Sequence, residues 1–157
     1  MPSRFEKKKA DNRDLKITFQ SKKDYTCPAC EEVFKKEELL SGGGRLIAGK
    51  LTEELHRLYE PSAKFGEIFP LVYQSIVCPE CWFSSSEPDF PLLPNENKQT
   101  VIDEYDKRLK ETRLIFPNVD FQENRTLMEG AASLYLTLRC YDFYNKQTSP
   151  TNKHRRQ

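Results

Sequence analysis

The stretches that decide the fold are Tyr25-Thr26-Cys27-Pro28-Ala29-Cys30 and Val77-Cys78-Pro79-Glu80-Cys81-Trp82-Phe83. Each is a C-P-x-C turn that brings two thiols close enough to share one ion. Two thiolates do not close a tetrahedral shell, so a structural site needs both turns together. Proline at the second position presets the turn and removes a backbone donor that would otherwise need a partner. Cys27, Cys30, Cys78 and Cys81 are therefore expected to ligate one metal ion. Zn2+ is the expected metal, because four thiolates fill its shell with the ligands it takes in structural sites. A filled shell leaves no open position for water, so no catalytic residue and no further cofactor-binding residue is expected.

The other chemistry open to a CxxC is thiol–disulfide exchange. It is disfavoured by the duplicated motif and by Glu31-Glu32, two acids that follow Cys30 and disfavour a thiolate nucleophile. Cys140 stands alone in an expected helix and reads as a small buried apolar residue. His56 falls in a short expected helix, and His154 in the basic tail; neither is expected to displace a cysteine from the metal. Gly42-Gly43-Gly44-Arg45 lacks the Lys-Ser/Thr of a phosphate loop and reads as a loop.

Between Cys30 and Cys78 lies a long insertion, residues 31–77. Leu15-Lys16-Ile17-Thr18-Phe19 alternates as a strand, and Val33-Phe34 is expected to return as its partner. Leu46-Ile47-Ala48 reads as a short strand. Thr52, followed by Glu53-Glu54, reads as the N-cap of a helix reaching Tyr59. Residues 71–77 read as one strand delivering Cys78. Residues 84–95, with Pro88, Pro91 and Pro94 among Ser and Asn, read as a connection. Val101, Ile102, Tyr105 and Leu109 mark an amphipathic helix over 97–113. Thr126-x-x-Glu129 is a capping box opening a helix that runs to about Tyr144. That helix is apolar on more than one face. Ser149-Pro150 looks like the start of another.

These elements give an α+β protein, with a small zinc-ribbon-like β region carrying an insertion and a helical C-terminal region. The expected division is a disordered basic arm over 1–13, a zinc-binding region over 14–94 and a helical region over 95–157, the last a helix pair cut short.

The 157 residues leave room for one domain, or one small domain with an appendage. Only 37% of them are hydrophobic, which argues against a large dry core, while 11% aromatics argue against disorder. The longest apolar runs are far short of the roughly 18 residues that cross a bilayer, so a cytoplasmic protein with no membrane partner is expected. A collagen, a coiled coil and a secreted disulfide scaffold are excluded on composition.

The net charge of +1 hides a segregation. Residues 1–23 carry eight basic and three acidic residues, residues 146–157 carry four basic residues and no acid, and residues 24–145 are net −8. Basic ends admit contact with nucleic acid, and Trp82-Phe83 beside a knuckle admit a stacking platform. The opposing readings are solvated tails and aromatics that wrap the metal site; these are preferred, since neither end interleaves aromatics with its charges.

Taken together, Tyr25 to Cys30 with Phe34, Gly44-Arg45-Leu46, Pro70-Leu71-Val72-Tyr73, Val77 to Cys81 and Asp89-Phe90 resemble the bacterial family known as domain of unknown function 2225. The resemblance spans about residues 14–90. It implies a zinc-ribbon-like N-terminal half continuing into paired helices like tetratricopeptide repeats, with residues 126–144 as the first helix of a pair. Members often carry Gly after the second Cys of each turn, where the backbone needs a positive φ. This chain has Glu31 and Trp82 there.

The function expected is a non-enzymatic interaction or scaffold module. Its zinc holds the β region, and its helical region binds a protein partner or self-associates. The alternatives are a nucleic-acid-associated ribbon and a thiol–disulfide redox protein.

Overall fold

A computed structural model of the chain describes residues 16–144. The basic arm 1–13, the basic tail 146–157 and the helix start at Ser149-Pro150 lie outside the described residues. Strands and helices are both present, as an α+β chain requires. The described residues fall into two compact units, 16–19 with 39–68, and 20–38 with 69–144.

In the first unit, β3 (Ile47–Leu51) pairs antiparallel with β4 (Arg57–Glu60), in the register Ile47 with Glu60 and Ala48 with Tyr59. The register shifts between Ala48 and Leu51. The helix expected from Thr52 to Tyr59 is replaced by this hairpin. Thr52 makes the bonds of a turn instead of a cap. Its N–H donates to the His56 carbonyl at 2.9 Å, its carbonyl accepts from Leu55 N–H at 3.0 Å, and its Oγ1 accepts from His56 N–H at 3.2 Å. A threonine hydroxyl serves either geometry, so the cap signal was ambiguous. Leu51, Leu55 and Leu58 have helical spacing, yet Leu55 turns the chain at φ +63° and His56 sits in the turn. The glycine run is a turn closed by Arg45, whose Nη1 donates to the Gly42 carbonyl at 2.7 Å and whose Nε donates to the Lys16 carbonyl at 2.8 Å.

In the second unit, two strand pairs each carry a cysteine turn. β1 (Thr18–Thr26), which begins in the first unit, pairs with β2 (Val33–Leu39). A connection of six residues allows only the antiparallel arrangement. β5 (Ser75–Val77) pairs antiparallel with β6 (Ser84–Ser86). The strand expected over 71–77 is thus shorter, because Pro70–Tyr73 forms a 3₁₀ turn ahead of it. The connection expected over 84–95 begins with a strand. Its serines are structural rather than flexible. Ser84 and Ser85 have no exposed surface, and the Ser84 hydroxyl meets Thr137 Oγ1 at 2.7 Å.

The helices are α1 (Lys98–Asp103), α2 (Tyr105–Ile115) and α3 (Leu127–Cys140). The single helix expected over 97–113 is interrupted at Glu104. The capping box forms as expected: Met128 N–H donates to Thr126 Oγ1 at 3.2 Å, and Thr126 N–H donates to Glu129 Oε2 at 2.9 Å. α3 ends at Cys140, and a 3₁₀ turn, Tyr141–Phe143, continues toward Tyr144.

α3 lies on β5, β6 and the Pro70–Tyr73 turn. Small and hydroxylic side chains make this approach close. Ser75 Oγ donates to Ser133 Oγ at 2.8 Å, and Gly130 faces Val72 with no room for a Cβ. Gly130→Ala is expected to destabilise the chain by about 1–3 kcal/mol although alanine is the better helix former. Urea unfolding of the metal-loaded protein checks this; an unchanged midpoint would show that α3 does not pack on Val72.

Candidate metal centre

The two cysteine turns are built alike. In the first, Cys27 N–H donates to the Glu32 carbonyl at 2.8 Å and Glu31 N–H to the Cys27 carbonyl at 3.0 Å. In the second, Cys78 N–H donates to the Phe83 carbonyl at 2.9 Å and Trp82 N–H to the Cys78 carbonyl at 3.0 Å. Closing each turn demands a left-handed residue after the second cysteine. Glu31 supplies φ +64° and Trp82 φ +55°. The knuckle geometry is therefore kept without the glycines that favour it, at a cost of about 1–2 kcal/mol per residue.

The turns bring all four expected ligands together. The sulfurs of Cys27, Cys30, Cys78 and Cys81 lie within 4.8 Å of one another. Cys27 Sγ is 3.6 Å from Cys81 Sγ, and Cys30 Sγ is 3.6 Å from Cys78 Sγ. A tetrahedron with metal–sulfur bonds of about 2.3 Å has edges of about 3.8 Å. The cross-turn edges fit that figure, and all five cysteines are free thiols. The four are positioned to bind a metal ion. His56 and the carboxylates are not part of this cluster.

Burial surrounds the cluster. Cys27, Cys78 and Cys81 share one core with Ile76, Phe83, Phe90, Val101, Cys140 and Phe143. Phe83 stacks near Tyr144 and Phe90, and Trp82 meets the Phe121 ring edge-on at 5.0 Å. Trp82 is 6% exposed and Phe83 fully buried, so no stacking platform is offered to a nucleic acid. Cys140 is wholly buried and accepts from Ser84 N–H at 3.4 Å, the inert role expected of it.

Without an ion, the four thiols cannot all ionise. Hydrogen bonds from Cys78 and Cys81 hold the Cys27 thiol far below its ordinary range. Bonding to Cys27 pushes the Cys78 and Cys81 thiols up, and burial adds to both shifts. A bound cation replaces these protons and removes the conflict.

Two polar clamps went unnoticed in the sequence. Glu87, just after β6, accepts from Tyr25 OH at 2.7 Å and from Lys36 Nζ at 2.6 Å, tying the first strand pair to the second. Lys36 and the Tyr25 bond lower the Glu87 carboxyl, and burial with the Glu87 contact pushes Tyr25 up to about 12. Arg125 Nη1 donates to the carbonyls of Val72 and Ser75, while its N–H donates to Glu37 Oε2 at 2.8 Å. Asp89, 1% exposed, accepts from Tyr141 OH at 2.7 Å and from Ser86 Oγ at 3.0 Å. Only the Asp89-Phe90 dipeptide had been singled out, through the resemblance.

The family described as "Uncharacterized protein conserved in bacteria (DUF2225)" matches residues 20–155. The chain belongs to this family. An uncharacterized protein of Borreliella burgdorferi is 39% identical to it over 137 residues, which cover 87% of this chain and 49% of that protein. The chain thus spans about half the length of the curated relative it matches. No solved structure matches. The match extends past the cysteine turns into the helices, so the family unit includes both.

Metal removal has a defined expectation. Chelation of the purified protein, or Cys78→Ser, is expected to abolish stoichiometric metal and to lose near-UV circular dichroism in parallel. Acidification is expected to release the metal, because protons compete for the thiolates. Native mass spectrometry across pH 7 to pH 4 measures the release; retention of both metal and fold in Cys78→Ser would remove Cys78 from the ligand set.

Proposed function

We propose that the chain is a non-enzymatic, zinc-ribbon-like scaffold whose structural Zn2+ fixes α3 for binding to protein. The observation that carries this reading is the outward side of α3. All four exposed residues of the helix are apolar: Leu127, Met128, Leu134 and Leu138. Its opposite side, with Gly130, Ala132, Ser133, Leu136 and Cys140, is buried. A helix apolar on both sides belongs between two layers, and one layer is already supplied by β5 and β6. At one margin Phe116 meets Tyr135 at 6.2 Å, and Ile115 and Leu114 extend the apolar surface onto the end of α2. A second helix packed there, as in a tetratricopeptide-like pair, suits this surface.

Zinc is the metal that suits four thiolates in a closed, buried shell, and such a shell supports folding instead of catalysis. Thiol exchange is disfavoured by access, since Cys27 and Cys78 are at most 1% exposed and an incoming disulfide has no line of attack. Nucleic-acid binding retains only the basic ends as its motive.

The double variant Leu134→Glu/Leu138→Glu tests the reading, because both side chains are exposed and the fold does not depend on them. Concentration-dependent sedimentation, or binding of a partner, is expected in the zinc-loaded parent and is expected to be lost in the variant with zinc content unchanged. A parent that stays monomeric and partner-free, or a variant that associates as before, would sink it.

A further inference from the structure

Apart from the metal centre and the α3 surface, the second unit holds a cleft of about 370 Å³ bounded by α1, α2, the end of α3 and the turn after it. Its wall contains Arg108, which is 3% exposed. A guanidinium at that depth is costly unless its donors are paired. Arg108 Nη2 donates to the Cys81 carbonyl at 2.9 Å, and the Phe143 ring lies 5.5 Å from the guanidinium carbon. Among the described residues, Arg108 Nε and Nη1 have no hydrogen-bond partner, and neither has Arg139 Nε on the same wall. Both arginines line the cleft. The other buried unpaired atoms are oxygens of Glu37, Ser85, Asp89 and Thr112, none of which lines it. The cleft is therefore short of acceptors and rich in donors.

The acids on its walls do not correct this. Glu111 is committed to Arg139 Nη2 at 2.8 Å. Glu104 and Asp142 line the cleft without forming an ion pair or hydrogen bond to Arg108. Lys107 adds a further cation at the wall.

We propose that this cleft binds a small oxyanion, a carboxylate or phosphate group, that takes up the unpaired donors of Arg108 and Arg139. Charge-assisted bonds to guanidinium groups are the strong ones, and an oxyanion supplies the lone pairs that the protein does not. Lys107, Arg108 and Arg139 face Glu104, Glu111 and Asp142, so the site is electrically balanced and favours a ligand of low charge. The affinity expected is accordingly about millimolar. Because Arg108 holds the Cys81 carbonyl, occupancy is felt at the second cysteine turn. This proposal does not depend on the α3 surface, and a result on either leaves the other standing.

The test is an NMR titration of the ¹⁵N-labelled, zinc-loaded full chain in phosphate-free buffer. Sodium phosphate and sodium acetate are added in separate series, with sodium chloride at matched ionic strength as control. The expected result is saturable shifts of the Arg108 and Arg139 Nε–H signals, with the Cys81 and Trp82 amides moving in step. The anion that saturates at lower concentration identifies the class. Arg139→Gln, at a partly exposed position, is expected to weaken binding about tenfold with zinc content unchanged. Arg108→Lys keeps the buried charge but loses the planar fork, and is expected to abolish saturation. Shifts no larger than those in chloride, or unchanged saturation in both variants, would overturn the proposal.

Discussion

Four sulfurs held within 4.8 Å are the constraint from which the rest of this chain follows. Thiols gathered so closely stabilise nothing by themselves: ionised, they repel, and protonated, they fill the core with weak hydrogen-bonding groups. A cation resolves the conflict and joins residues nearly fifty positions apart. The two strand pairs and the aromatic shell of Phe83, Phe90 and Tyr144 pack around that junction. With little aliphatic sequence available, the chain uses a coordination site where a larger protein would place a cluster of leucines and isoleucines.

The helices are part of the same construction. Val101, Cys140 and Phe143 share a core with the metal ligands, while Val77, Trp82 and Leu136 form a second cluster bordered by Tyr105 and Leu109. α3 is therefore placed by the strands that carry the second cysteine turn. Its orientation depends on the metal, and this connects a saturated, chemically quiet ion with a role in recognition.

Much of this was legible in the residues. The four ligands, the return strand at Val33-Phe34, the Thr126 capping box and the burial of Cys140 all follow from local patterns with a single physical reading. The misreadings came where one pattern serves two geometries. Thr52 with leucines at helical spacing was read as a capped helix, but the hydroxyl closes a hairpin turn. The serines at 84–86 were read as a linker because serine is common in loops, yet here small hydroxyls admit α3 to close contact. Arg108, Arg125 and Glu37 left no signal, because a charged residue on a helix or strand looks the same whether it faces solvent or is enclosed. Their importance arises from burial, which is a property of the tertiary structure.

Trp82 shows what a left-handed turn gains by giving up glycine. Glycine in its place would relax the backbone, but it would leave nothing reaching from the cysteine turn toward α2. The indole instead packs with Val77 and Leu136, meets Phe121, and lies under the Arg113 guanidinium at 5.5 Å. A local conformational penalty thus becomes a mechanical linkage. Motion at the ligands is transmitted to the helices, and the helices in turn hold the turn in its unusual conformation. Opening of the two parts is expected to be cooperative, with amide protons of α3 and of the second cysteine turn exchanging as one block. The β3–β4 hairpin, in the other compact unit, is free to exchange on its own timescale.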